Sequence, residues 1–166
     1  FVGTPFTFGL RQLGANCGLI AQHAAIEVNG RAYWMSDNAF YLFDGVVKKM
    51  PCSVQDYVFD DLSYVNRTEI ACGINSAFNE IIWYYPSSSS TQINRAVAYN
   101  YLENTWYTLN LSRTTWLGAY VFEQPIATEY STSLTSNTAT ILGLTAGASY
   151  MYEHELGNNQ ADGTAI

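Results

Sequence analysis

The chain has 166 residues, enough for one domain, and its 48% hydrophobic against 13% charged residues exclude a disordered polypeptide. Its 13 Tyr, 8 Phe and 4 Trp point to β-rich packing, and a formal net charge of −7 argues against a surface that grips nucleic acid, which needs clustered Lys and Arg. No apolar run approaches the roughly 18 residues of a membrane span and no charged-then-apolar leader is present, so neither a span nor a secretion signal is expected.

In chain order, the run FTFGLR at 6–11 reads as the last strand of a preceding blade, and CGLI at 17–20 as a crossing segment. Residues 24–50 then read as four short strands joined by three tight turns. Two of these turns are Asn29-Gly30 and Asp44-Gly45, the residue pairs that best suit the positive φ angles of a type I′ hairpin. A two-residue turn at Asn29-Gly30 sets Val28 opposite Arg31, Glu27 opposite Ala32 and Ile26 opposite Tyr33. The same geometry at Asp44-Gly45 sets Phe43 opposite Val46 and Leu42 opposite Val47. Residues 56–61 read as a solvated turn between blades.

A second copy of this unit occupies 69–110. Ile26 and Ile74 stand 48 apart and Trp34 and Trp83 stand 49 apart, while Phe43 and Tyr99 stand 56 apart because of a longer serine loop at 87–90, a mobile tip by composition. Residues 113–129 read as a long connection, and a partial third blade is expected over 139–166. Four strands in a repeat of about 50 residues is a kelch-like signature, and hairpins apolar on both faces belong to sheets sandwiched between neighbours. The expected fold is therefore all-β, a β-propeller of four-stranded antiparallel meander blades, with 1–166 forming a single region. Two full blades and two partial ones are too few to close a ring, so either the chain is a piece of a longer polypeptide, which is the expectation, or several chains complete the sheet. Trp34 and Trp83 are expected at equivalent buried positions, with Trp106, Asn29, Gly30, Asp44 and Gly45 as further structural residues, and with no helix longer than about two turns.

The search for chemistry yields little. In a strand His154 points away from Glu153 and Glu155, so the three cannot chelate one ion. His23, the other histidine, has no companion ligands. The stretch at 158–163 opens like a calcium loop yet has one carboxylate, Asp162, and reads better as a polar hairpin loop. Asp60 and Asp61 are adjacent and diverge, whereas a glycosidase pair stands about 5–10 Å apart across a cleft. The glycosylation patterns at Asn66 and Asn110 count as chance without a secretion signal. Cys17, Cys52 and Cys72 are odd in number and widely spaced, and read as buried free thiols of a reducing compartment. No catalytic, cofactor-binding or metal residue emerges, and no cofactor is expected.

The runs GRAYWMSDNAFYLFDG at 30–45, NEIIWYYP at 79–86, VAYNYLENTW at 97–106 and YEHELG at 152–157, with Asp162-Gly163, resemble the propeller region of tail nozzle proteins of short-tailed bacteriophages, also called tail hub or packaged-DNA stabilisation proteins. The resemblance spans about 18–166. It implies a structural virion protein at the lower end of the tail, assembled in the host bacterial cytoplasm. There it would form a ring of copies, expected to be a hexamer, below the portal and tail adaptor, retaining and then releasing the genome. It carries over no catalytic residues. DNA would pass such a ring without specific binding, since a wall free of clustered positive charge does not trap a polyanion. The alternative is a receptor- or carbohydrate-binding propeller module of a phage tail, in which exposed members of Trp83, Tyr84, Tyr85, Trp106 and Trp116 serve as stacking platforms. A propeller enzyme would need an arginine cluster, an acid pair or metal-binding His and Tyr groups that the sequence does not set out.

Overall fold

The computed structural model describes residues 9, 11–119, 122–131 and 148–155. The strand read at 6–11 falls mostly outside them, as do residues 139–147 of the third blade and the hairpin loop at 158–163.

The first sheet runs β1 (Ala25–Val28), β2 (Arg31–Met35), β3 (Phe40–Phe43), β4 (Val47–Lys49) as an antiparallel meander in chain order. Asn29 and Gly30 both have positive φ, 53° and 77°, and the β1–β2 register is the expected one, from Val28↔Arg31 to Ala25↔Trp34. The type I′ geometry matches the twist of the flanking strands, so the turn fixes the register.

The Asp44-Gly45 turn departs from expectation. Phe43 pairs with Val47 and Leu42 with Lys48, one residue beyond the expected partners. Of the two turn residues only Gly45 has positive φ, 103°, so the connection is the three-residue stretch 44–46. The extra residue turns Val46 outward, where it is 64% exposed. An ion pair across the loop, Lys48 Nζ to Asp44 at 2.8 Å, accompanies this wider turn.

Residues 56–61 are not a solvated turn either. They lie in α1 (Gln55–Asp61), which buries Val58 and Phe59, with Phe59 against Phe40 at 5.4 Å between ring centroids. Seven residues are too few to show a helical period, and the helix persists through its packed face rather than through propensity. A short 3-10 turn (Arg67–Glu69) leads into the second sheet.

That sheet is β5 (Ala71–Asn75), β6 (Glu80–Tyr85), β7 (Arg95–Asn100), β8 (Thr105–Leu109), again an antiparallel meander in chain order. Its hairpins turn through Asn79 (φ 60°) and Asn104 (φ 57°), and the Asn100 carboxamide oxygen accepts the N–H groups of Leu102 and Glu103. Asparagine tolerates the left-handed region because its short amide bonds locally to the backbone.

Residues 113–129 are not a bare connection. They contain β9 (Thr115–Leu117) and the start of β10 (Ile126–Ser131), which pair with each other and with β11 (Ala148–Glu153) to make a third antiparallel sheet of order β11-β10-β9. The third sheet therefore begins at Thr115 rather than at 139.

The sheets stack in sequence. Ile26, Val28, Tyr33, Met35 and Phe40 of the first sheet share a core with Ile74, Ile81, Trp83, Tyr85, Val97 and Tyr99 of the second. The opposite face of the second sheet, with Ile82, Tyr84, Ala96 and Ala98, packs on Trp116 of the third. The middle sheet is thus apolar on both sides because both sides are covered. The leading strands neighbour one another, β1 beside β5 and β5 beside β9, and His23 forms a parallel bridge to Ala71. Among the described residues no helix is long and apolar enough to cross a membrane.

Candidate functional site

Polar side chains concentrate at the seams between sheets, beginning with the four tryptophans. Every indole N–H donates to a backbone carbonyl: Trp34 to Cys17 at 2.8 Å, Trp83 to Ala24 at 3.0 Å, Trp106 to Pro51 at 2.9 Å and Trp116 to Ile74 at 2.7 Å. Trp83 and Trp106 reach from the second sheet into the first sheet's flanks, and Trp116 reaches from the third sheet to β5. A buried ring with a polar edge can both fill a core and lock its registration, since leaving that N–H unpaired is costly.

Trp34 and Trp83 are equivalent in register. Each lies three pairs beyond the pair that closes its hairpin, Val28↔Arg31 and Asn75↔Glu80. Their burial differs. Trp83 is fully buried against the first sheet, whereas Trp34 is half-buried, stacked on Tyr41 at 5.7 Å. Trp34 faces away from the second sheet, and among the described residues 14–17 lie on that side, with Gly14 near Val47 and the carbonyls of Asn16 and Cys17 accepting from Tyr41 and Trp34.

A buried polar cluster centred on Arg113 has no signature in the sequence. Arg113, 9% exposed, lies over the Tyr152 ring at 4.4 Å, donates from Nε to His154 Nε2 at 2.8 Å and from Nη1 to Glu129 at 3.0 Å. Burial, with the Arg113 charge beside it, pushes the His154 pKa down to about 4. The imidazole therefore stays neutral and accepts from the guanidinium, and its ring packs on Trp116 at 4.7 Å. Burial, followed by the Glu129 carboxylate, raises the Tyr152 hydroxyl. With Nε2 occupied, His154 presents no base there to a substrate. The cluster ties β9, β10 and β11 together at the seam with the second sheet. Arg113 and Glu129 are 16 residues apart and form no spaced motif, so only the β9–β10–β11 pairing brings them together.

The other candidates separate as well. His154 turns to Arg113 while Glu155 accepts from Asn75 Nδ2 at 2.9 Å. Among the described residues no three His, Cys, Asp or Glu side chains gather as a metal site would require. Asp61 faces Arg95 at 3.4 Å. The three cysteines are free and half-buried rather than buried, and burial raises the thiols of Cys52 and Cys72, the opposite of activation. The serine loop is anchored. Ser87 is buried, its N–H donates to Asn94 Oδ1 at 2.8 Å, its Oγ accepts from Asn94 Nδ2 at 2.9 Å, and Ser88 N–H bonds the Asp61 carbonyl. Those partners lie across the loop or on α1, where composition cannot reveal them.

A surface groove lies apart from these clusters. Pro51, Cys52 and Ser53, just after the first sheet, and Asn104, Thr105 and Trp106, at the β7–β8 turn, line a groove at the outer seam of the first two sheets. Trp106 rests on Tyr99, Phe40 and Trp83, with centroids at 4.6, 4.7 and 6.0 Å. No protein-family model matches the chain, and a search of the curated proteins found no match.

Proposed function

We propose that the chain is part of a β-propeller in the nozzle of a short-tailed bacteriophage, where it is a structural ring component that retains and then releases the genome, and not an enzyme. The observation that carries the propeller is the placement of the leading strands β1, β5 and β9 side by side, with a meander sheet fanning outward from each of the first two. Propeller blades are arranged in this way about a central channel. The motif resemblance supports the nozzle, and the acidic balance of −7 suits a wall along which DNA slides. The structural role is supported by the use made of the polar residues. Trp83, Trp106 and Trp116 tie one sheet to another or to its flank, Trp34 ties β2 to the segment before the first sheet, and Arg113, Glu129 and His154 tie the strands of the third sheet together.

The test is quantitative mass spectrometry and cryo-electron microscopy of purified short-tailed particles that encode the chain. The expected result is about six copies per particle in a ring below the portal, as for closed cyclic assemblies. Absence of the chain from purified particles would overturn the proposal.

A further inference from the structure

We propose that the groove lined by Pro51, Cys52, Ser53, Asn104, Thr105 and Trp106 binds a neutral saccharide, with Trp106 as its stacking platform. This inference is independent of the nozzle reading. The Trp106 ring is fixed before any ligand arrives, because it packs on three aromatic rings and its N–H is tied to the Pro51 carbonyl at 2.9 Å. A platform already ordered spends no conformational entropy on binding.

Around it stand polar side-chain groups without hydrogen-bond partners among the described residues. Asn104 Oδ1 accepts from the Tyr99 hydroxyl at 2.8 Å, which leaves the carboxamide N–H groups free, and the Ser53 and Thr105 hydroxyls make no hydrogen bond. All three residues are exposed. No lining side chain carries a charge, and burial raises the Cys52 thiol and keeps it neutral. Phosphate, sulfate and carboxylate ligands therefore find no counter-charge here. A pyranose fits both features: its C–H face covers an aromatic ring, and its equatorial hydroxyls reach the rim donors and acceptors. A polyproline segment fits less well, because it docks in a groove lined by several aromatics. Here Trp106 is the only aromatic in the lining, and its N–H is already engaged.

The test is saturation-transfer NMR and titration of the whole chain with the methyl glycosides of glucose, galactose, mannose and N-acetylglucosamine, with hexaproline alongside. At least one glycoside should receive saturation on its ring C–H protons. Ser53→Ala, Thr105→Val and Asn104→Gly should each weaken binding roughly 2- to 10-fold, the share of one hydrogen bond. Asn104→Gly keeps the left-handed turn that Asn104 occupies at φ 57°. Trp106→Phe preserves an aromatic in the core and should weaken binding by at least as much. Transfer to no glycoside, transfer unchanged in the Ser53→Ala and Trp106→Phe variants, or binding of hexaproline alone would each overturn the proposal.

Discussion

Replacing Gly73 by alanine separates two opposed effects by their sign. Gly73 sits inside β5, and a glycine within a strand ordinarily costs about 0.5–1 kcal/mol relative to alanine, because the unfolded glycine has more freedom to lose. If nothing approached it, Gly73→Ala would stabilise the protein by that amount. A β-carbon built on Gly73, however, falls 2.5 Å from both Cβ and Cγ of Trp116. Because Trp116 Cβ is itself one of the contacts, no change of rotamer relieves the overlap. β9 must retreat from β5, which strains the 2.7 Å bond from the Trp116 indole to the Ile74 carbonyl. Overpacking of a full core costs about 1–3 kcal/mol and a compromised buried N–H about 1 kcal/mol more. Set against the gain of up to about 1 kcal/mol, the net expectation is a loss of about 1–3 kcal/mol. Urea unfolding followed by tryptophan fluorescence should register this as a lower midpoint at similar slope. An unchanged or higher midpoint would refute the argument that Gly73 exists to let Trp116 approach.

The remaining expectations follow from burial, backbone geometry and charge. Trp83→Ala should cost about 3–5 kcal/mol in urea unfolding, while Trp34→Ala, at the same register but half-buried, should cost clearly less; equal losses would contradict the difference in coverage. Gly45→Val should cost about 1–3 kcal/mol, since a β-branched residue resists a φ of 103°, and a variant of normal stability would refute the strained turn. His154 is held below its ordinary value of 6.5, so its contribution is complete above that pH and is lost as the pH falls toward about 4. Across that window it should remove about 1–2 kcal/mol, reduced from the full shift by solvent reaching the ring, and His154→Gln should flatten this part of the pH profile; an identical profile would refute the assignment.

What the sequence revealed and what it hid divide along physical lines. Asn29-Gly30 encodes its turn locally, since both residues accept positive φ, and every pair of the β1–β2 hairpin follows from that one constraint. Asp44-Gly45 carries the same signal, yet the observed turn also includes Val46; the dipeptide marks the place of a turn but leaves its length open. The first two sheets were readable because their hairpin turns and apolar positions recur at a spacing of about 50 residues. β9 has only three residues and stands between Thr114 and Gly118, too short for any period to register. The Arg113 cluster was hidden for a different reason: its members are adjacent only after three strands have paired, so no local pattern could announce them.

The two equivalent tryptophans carry this reasoning one step further. Trp34 and Trp83 share a strand position, a register and an indole bond to an upstream carbonyl, so the repeat fixes where each ring points. It does not fix how deeply each is buried, because burial is supplied by the neighbouring sheet. The first sheet closes over Trp83, whereas among the described residues it is the strip at 14–17 that lies over Trp34. Ala32, Tyr41, Phe43 and Val47 share that face and are likewise half-buried. A repeat protein draws its stability from interfaces between units as much as from the units themselves. A face built like its covered counterpart is therefore a face suited to a further sheet, and on the Trp34 side such a sheet would add most to the stability of the first one.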